Sequence, residues 1–417
     1  MRLMLTEKSG TLRADAITNG YLAFMNNSDK HSDITVVGGG MVGAAAALGL
    51  AEQGFSVALL EHAAPPEFDP QSAPDLRISA LGCTSVALLT RLGAWQNVAQ
   101  MRSAPYRRLE TWEMPGSEVI FDAAALGLPE LGYMVENTVL QRALWQQVEQ
   151  QPAIRLHCPA SLKSMEKTPH GWQLTLQDGQ TLTTQLVIGA DGANSQVRQL
   201  AGIGINGWQY RQSCMLISVK TAAPDQDVTW QQFFPSGPRA FLPLSGHYAS
   251  LVWYDSPARI RYLQSLPMAQ LSREIQQAFP ERVGNVTALA AGAFPLVRRH
   301  AQHYVRPGVA LIGDAAHTIN PLAGQGVNLG YRDVEALIDV LAAARERGEA
   351  WAGEPVLMRY QRRRKVDNLM MQSGMDLFYT AFSNDLAPVR MLRNAALMAA
   401  QRGGSLKNRA LRYALGL

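Results

Sequence analysis

Gly38, Gly40 and Gly43 stand at the spacing G-x-G-x-x-G, and an acid, Glu61, closes the next apolar run. Glycines in this pattern serve three ends. The first permits a tight turn, the second lets a pyrophosphate approach the backbone, and the third lets a helix pack close to a strand. A carboxylate at the position of Glu61 suits ribose hydroxyls. The chemistry indicated is dinucleotide binding. The elements that must position these residues are legible around them. Ile34 to Val37 reads as a short buried strand, the Ala-rich run to Leu50 as a helix, and Ser56 to Leu60 as a second strand. Met41 and Val42 fall in the first turn of that helix, where free N–H groups and the positive dipole end favour phosphate. The unit is a Rossmann-like βαβ.

Two further buried strands end in the same way. Leu186 to Ile188 leads into Gly189-Ala-Asp191-Gly192, and Val309 to Ile312 leads into Gly313-Asp314. Ligands of open α/β sheets bind beyond the carboxyl ends of the strands. Three such ends suit a long flavin dinucleotide better than a nicotinamide one. After the third strand come His317, the loop Pro321 to Gly326, and a helix from Val327 to Leu341. Arg77, inside an apolar segment, either pairs with a carboxylate or reaches a phosphate. Asn137 can cap a helix that carries Gln141, Arg142 and Trp145. Residues 107–122 and 208–255 alternate as strands.

The chain has 417 residues, 47% hydrophobic and 17% charged, which fits a globular enzyme of two domains. Cys83, Cys158 and Cys214 form neither a metal pattern nor a disulfide framework, so the cytoplasm is the expected compartment and no metal site is expected. The net charge of +4 is uneven. From Pro355 onward eleven Lys/Arg face three Asp/Glu, a balance of +8, and the remainder carries −4. A basic tail suggests an anionic surface or partner. Nucleic acid is not expected, because no reading motif accompanies the charge. Residues 1–32 are polar and lack a secretory signal pattern. They read as a flexible leader, with Met25 as an alternative start.

The motifs together resemble a known family. G-x-G-x-x-G, then Asp191-Gly192-Ala-Asn-Ser195-x-Val-Arg198, then Gly313-Asp314-Ala-Ala-His317 with Pro321 and Gly324-Gln-Gly326-x-Asn328, are the fingerprints of FAD-dependent aromatic hydroxylases of the p-hydroxybenzoate hydroxylase type. Asp75-Leu-Arg-Ile-Ser-Ala-Leu81, Tyr133-Met-Val-Glu-Asn137 and the run Ala315 to Gly330 are similar to the ubiquinone-biosynthesis branch. Trp208 to Tyr210, Ser250 to Ser256 and Gln372 to Phe378 look like one member of it in particular.

The resemblance implies an α/β fold with α+β elements. A Rossmann-like FAD-binding domain (33–106, 133–205 and 290–350) would carry an inserted β-sheet substrate domain (107–132 and 206–289) and a helical, basic C-terminal segment (351–417). It implies FAD as cofactor, with NAD(P)H or another donor as transient reductant, since no second G-x-G-x-x-G fold is apparent. Gly38, Gly40, Met41, Val42 and Gly43 would meet the pyrophosphate and Glu61 the adenosine ribose. Arg77 would reach the phosphate or ribityl region, and Gln141 rather than Arg142 the ribityl side. Asp314 would accept from ribityl hydroxyls, and Pro321, Gly324, Gly326, Val327 and Asn328 would lie beside the flavin ring. Asp191 belongs to the fingerprint, but its simpler role is to orient its own loop and pair with Arg198. His317 and Pro321 neighbour the flavin, and a lone His is more often structural than catalytic.

The chemistry implied is ring hydroxylation of a polyprenyl benzoquinol by O2, through a flavin C4a-hydroperoxide whose distal oxygen the electron-rich ring attacks. Another hydroxylation in the same pathway, and a flavin reductase or dehydrogenase without oxygen insertion, are the alternatives. Other ubiquinone-biosynthesis proteins and the inner-membrane surface are further expected partners. The basic C-terminal segment would dock on anionic lipid or partner subunits, or pack on the flavin domain. Of Trp208, Tyr210, Trp230, Trp253 and Tyr254, most are expected in the core and a minority in a quinol pocket.

Overall fold

A computed structural model describes residues 31–223, 225–319, 326–383, 386–404, 407–409 and 412. Of the expected leader, only His31 and Ser32 are described, and they begin the first strand. Pro321 and Gly324 also lie outside the described residues.

The first sheet is organised around a run of adjacent parallel strands. Val309–Leu311, Thr181–Gly189, His31–Val37, Val57–Leu60 and Ile154–His157 lie side by side in that order. Their Val, Ile, Leu and Ala residues are buried apart from the half-buried Leu156 on the outer strand, as expected for a parallel sheet covered on both faces. The three Gly/Asp-terminated strands read from the sequence are therefore neighbours, and their carboxyl ends form one edge. Backbone bonds tie that edge together: Gly38 N–H donates to Leu60, Ala190 to Val37 and Ile312 to Gly189, at 2.8, 2.8 and 3.0 Å.

The helix Met41–Glu52 is buried from Gly43 to Ala51. It lies against both the sheet and the helix Gly326–Glu346. Such close approach requires small residues. A Cβ at Gly49 would stand 2.2 Å from Ile338 Cδ1.

The second sheet has eight strands and is antiparallel but for the pair Arg108–Trp112 with Val228–Gln232. Its centre is the pairing of Ile205–Thr221 with Val286–Ala301 on one side and Tyr248–Asp255 on the other. The pairing runs on past the 289/290 boundary expected from the sequence. The stretch Ala288 to Ala293 is rich in Ala and Gly, which carry little strand signal. At its far end Arg299 and His300 pair with Thr318 and His317, so this sheet meets the end of the Gly313-Asp314 turn. A three-stranded sheet of Ile78–Gly82, Gly132–Glu136 and Ala104–Tyr106 completes the β structure. The C-terminal part forms the helices Glu354–Phe382 and Ala387–Gln401.

Candidate active site

The three fingerprint glycines do different work. Gly38 has φ +102°, and a Cβ there would meet the Ala190 carbonyl oxygen at 2.5 Å. At Gly43 a Cβ would fall 1.8 Å from the Gly38 oxygen. These two are required by the chain's own packing. Gly40 has nothing within 4 Å of its Cβ position, so the chain's own packing does not require its bareness. It also precedes the helix Met41–Glu52, whose N-terminus has no side-chain cap. Uncapped N–H groups beside an open glycine make an anion cradle. The Val42 side chain points away from it and fills the space above Gly313 and Gly330, locking the helix to the third strand end.

Side chains hold the turn from behind. Glu61 is buried and accepts from Gly39 N–H at 2.6 Å and His62 N–H at 2.8 Å. The Gly39 carbonyl accepts from Trp145 Nε1 at 2.7 Å and Gln141 Nε2 at 3.1 Å. Gln141 thus faces the turn, while Arg142 points to Glu67 and Glu149. Trp145 was not singled out as a site residue. Its place one helical turn after Gln141 was the available signal.

Asp191 accepts from Ser195 Oγ (2.5 Å) and from the N–H groups of Gln196 (2.7 Å) and Val197 (3.0 Å). It orients its loop, as expected. Its pairing with Arg198 is through charge, which favours the guanidinium, with no hydrogen bond between the two side chains among the described residues. Arg198 instead donates to the carbonyls of Ala315 (3.0 Å) and Ala193 (3.1 Å), bridging the second and third strand ends. Backbone acceptors across the gap use its planar fork better than a carboxylate already holding three donors.

Asp314 lies at the wall of a cavity of about 500 Å³. Its carboxylate has no hydrogen-bond partner among the described residues, and the residue is exposed where it lines the cavity, with protein atoms crowded around its base. Desolvation raises its carboxyl, opposed by the charges of His317 and Arg77. An acceptor without donors is suited to a ligand's hydroxyl groups. Arg77 also lines the cavity, with its guanidinium 4.8 Å from the Phe294 ring centre. Gly326, the first residue of its helix, lines the cavity too and is open at its Cβ position. Asn328 is buried and engaged with the chain. It accepts from Ser85 Oγ (2.6 Å) and Gly82 N–H (3.1 Å) and donates to the Ala80 carbonyl (2.7 Å). It thereby fixes the helix start to the strand Ile78–Gly82. Val327 is buried in the core.

His317 is 2% exposed, and its Nε2 lies 2.5 Å from Asp333 Oδ2. Asp333, fully buried, is a hub. It also accepts from Gly313 N–H (3.0 Å), Arg364 Nε (2.8 Å) and Asn368 Nδ2 (3.1 Å). Burial alone would raise its carboxyl, but His317 and Arg364 hold it down to about 2. Beside it, His300 meets Gln372 at 2.8 Å, and desolvation together with His317 lowers its imidazole to about 4. His317 is therefore a structural link between the Gly313 turn and the C-terminal helix.

From Asp314 and Gly326 the cavity runs along the second sheet. Its walls are largely apolar and include Leu216, Val252 and Leu296. Of the aromatic residues weighed from the sequence, Trp230 and Tyr254 line it, Trp253 is core, Tyr210 is buried beside Asp376, and Trp208 is 47% exposed. Desolvation pushes the Cys214 thiol up to about 12 and the Tyr254 phenol well up, so this wall is neutral at ordinary pH. The described residues hold no cluster of metal-ligating side chains.

A family profile described as FAD binding domain matches residues 31–372. The chain belongs to that family of FAD-binding proteins. The 3-demethoxyubiquinol 3-hydroxylase of Escherichia coli is 63% identical over 390 residues, covering 94% of this chain and all of that one. The ubiquinone hydroxylase UbiL of Rhodospirillum rubrum is 35% identical, covering 94% and 91%. Among solved structures, p-nitrophenol 4-monooxygenase PnpA of Pseudomonas putida superposes with a TM-score of 0.77 at 19% identity, covering 93% and 98%, which speaks to the fold. Within the FAD-binding family the chain falls among the ubiquinone-biosynthesis hydroxylases, as an FAD-dependent aromatic-ring monooxygenase.

Proposed function

We propose that the protein hydroxylates 2-octaprenyl-3-methyl-6-methoxy-1,4-benzoquinol at its unsubstituted ring carbon. One observation carries the reading: the apolar cavity begins at Asp314 and Gly326, where the reactive end of the cofactor belongs, and extends over a sheet face with space for a substituted ring. The E. coli relative is named for a demethoxyubiquinol, a quinol ring lacking one methoxy group, and this supports the same class of substrate here.

The residues present fit FAD. The Gly40 cradle and the N–H groups of Met41 and Val42 would hold the pyrophosphate, with Glu61 and Gln141 fixing the turn and Glu61 beside the adenosine ribose. Asp314 would accept from the ribityl hydroxyls, and Arg77 would approach the same chain. The helix start at Gly326 to Asn328 would present its positive end to the ring. When bound and reduced, FAD supplies the activation of O2. The chain's own contribution is to position the quinol and keep water out. Leu216, Val252 and Leu296 provide the dry wall. Thr318, whose buried hydroxyl lacks a partner among the described residues, offers a polar contact at the cavity edge. The reductant, NAD(P)H or another donor, visits only transiently.

Loss of the protein in cells should accumulate the prenyl quinone that lacks the final ring oxygen. Accumulation of an earlier intermediate would instead assign another hydroxylation step of the pathway.

A further inference from the structure

One side of the helix Glu354–Phe382 lies against the cavity wall. Gln372, Met375, Asp376 and Tyr379 recur there at helical spacing. Met375 and Tyr379 pack against a cluster that includes Cys214, Tyr254 and Leu296, which line the cavity. Asp376 accepts from the Tyr210 hydroxyl and pairs with Arg298 at 3.1 Å. Arg364, Asn368 and Gln372, each about one turn from the next, hold successive points of the third strand end. The first two act on Gly313 and His317 through Asp333, and the third reaches Thr318 directly.

Gln372 is 1% exposed. Its Nε2 donates to the carbonyls of Arg299 (3.1 Å) and Thr318 (3.3 Å), and its Oε1 meets His300 Nδ1 at 2.8 Å. These partners fix the direction of the amide. Two carbonyls can only accept, so the NH2 group must face them, and the imidazole must present Nδ1–H to Oε1. Arg299 and Thr318 are paired residues, and the strand His317–Thr318 is only two residues long. A strand that short needs outside support. Side chains alternate along it. His317 turns to Asp333, whereas Thr318 lines the cavity, and so does Arg299. Gln372 does not itself line the cavity. It clamps the main chain of two residues that do.

The Thr318 hydroxyl is the group this clamp aims. It is buried and has no hydrogen-bond partner among the described residues. A hydroxyl can donate to a quinol oxygen or accept from it. We infer that Gln372 is a positioning residue for ring hydroxylation, holding Thr318 where its hydroxyl meets a quinol oxygen. The ring carbon is thereby set against the reactive end of the cofactor. The inference rests on the quinol reading above. A ring held out of line reacts far more slowly, and the two electrons of the reductant then end in hydrogen peroxide instead of in water and a ring hydroxyl.

The test compares FAD-loaded Gln372→Met, Gln372→Glu, Thr318→Val and the double variant Gln372→Met with Thr318→Val against the parent. Methionine keeps the length of the side chain without its donors, and glutamate sets an acceptor against two carbonyls. The readouts are hydroxylated quinol formed per reductant oxidised and the KM for the prenyl benzoquinol. Coupling should fall about tenfold in each single variant, and KM should rise, with FAD affinity unchanged. The double variant should lose no more than Thr318→Val, because both changes act through one hydroxyl. A Gln372 that only supports the fold would lower the thermal midpoint and leave coupling alone. That result, or additive losses in the double variant, overturns the inference. Thr318→Val leaves the clamp in place and decides the matter if the Gln372 variants do not fold, since coupling at the parent's level there contradicts the role. A parent that forms no hydroxylated quinol refutes the functional reading instead. Affinity for the prenyl benzoquinone, followed by quenching of flavin fluorescence, then judges the clamp: weaker binding in Gln372→Met supports it, and equal binding counts against it.

Discussion

The Gly38–Gly43 turn and the Gly313–His317 turn both follow a strand of the same parallel sheet, yet they are held by different means. The first is fixed mainly by backbone. Gly38 and Gly43 let the strand ends and helix close on one another, and Glu61, Gln141 and Trp145 clasp the Gly39 peptide. The second is fixed by a buried side-chain network reaching from Asp333 to Arg364 and Asn368 on another helix. Phosphate can be held by N–H groups of any sequence that turns tightly enough. The reactive end must be set against a cavity built by a separate sheet, and only side chains of distant segments can tie those parts together. The difference teaches that the turn proposed for the nucleotide is a local device and the turn proposed for the reactive end a tertiary one.

That contrast can be broken at several points. Asp333→Ala should destabilise the protein by about 3 kcal/mol, because the buried donors of Gly313, His317, Asn368 and Arg364 Nε lose their shared acceptor and Arg364 keeps only Asp367 as ion-pair partner. Urea unfolding measures this, and a loss under about 1 kcal/mol would mean the hub is not holding the turn. The same network should make the protein acid-sensitive through His300. Its folded pKa, about 4, lies below its ordinary value, so the neutral ring contributes stability above the unfolded pKa near 6.5. That contribution is lost as pH falls through about 4, at a cost of about 2 kcal/mol once solvent access is allowed for. His300→Gln should flatten this limb of the stability profile, and an unchanged limb would place the titration elsewhere.

Changes at the nucleotide end sharpen the contrast from the other side. Gly43→Ala should cost about 1–3 kcal/mol by overpacking against the Gly38 carbonyl. Gly40→Ala should leave the unfolding of FAD-free protein within about 0.5 kcal/mol of the parent. It should nonetheless weaken FAD binding, read by flavin fluorescence, because its space belongs to the ligand. Equal behaviour of the two variants would contradict the division of labour among the glycines. Asp314→Ala should likewise lower FAD affinity while the fold stays intact.

The nucleotide end was legible in the sequence because its constraints are local. Glycines needed for a turn and an acid closing the next strand leave fixed spacings, and the Asp191-Gly192 and Gly313-Asp314 turns repeat the theme. The hub was not legible because its members are spread from His300 to Gln372 and leave no short pattern. Arg364 stood in a run of five basic residues with Arg359, Arg362, Arg363 and Lys365 and looked like surface charge. In the structure it is buried, and Arg359 and Arg363 pair with Glu349 and Asp339. One signal was present. Asp333 falls at helical spacing with Gly330 and Leu337 on the buried side of its helix, and a carboxylate there requires a partner. The cavity walls were half legible. Strands such as Arg239–Leu244 appear where alternation placed them, but which face of each strand meets the cavity depends on packing between the sheets.

The central claim is that the cavity beside Asp314 and Gly326 receives a prenyl quinol for oxygen insertion. Its most direct test is turnover of the FAD-loaded protein with a reductant, the prenylated benzoquinol and isotopically labelled O2, followed by mass spectrometry of the product. The account predicts one labelled oxygen atom in the ring for each quinol consumed. Oxidation of the reductant with every labelled atom recovered as peroxide or water, and none in the quinol, would contradict it and leave a flavin reductase or oxidase in its place.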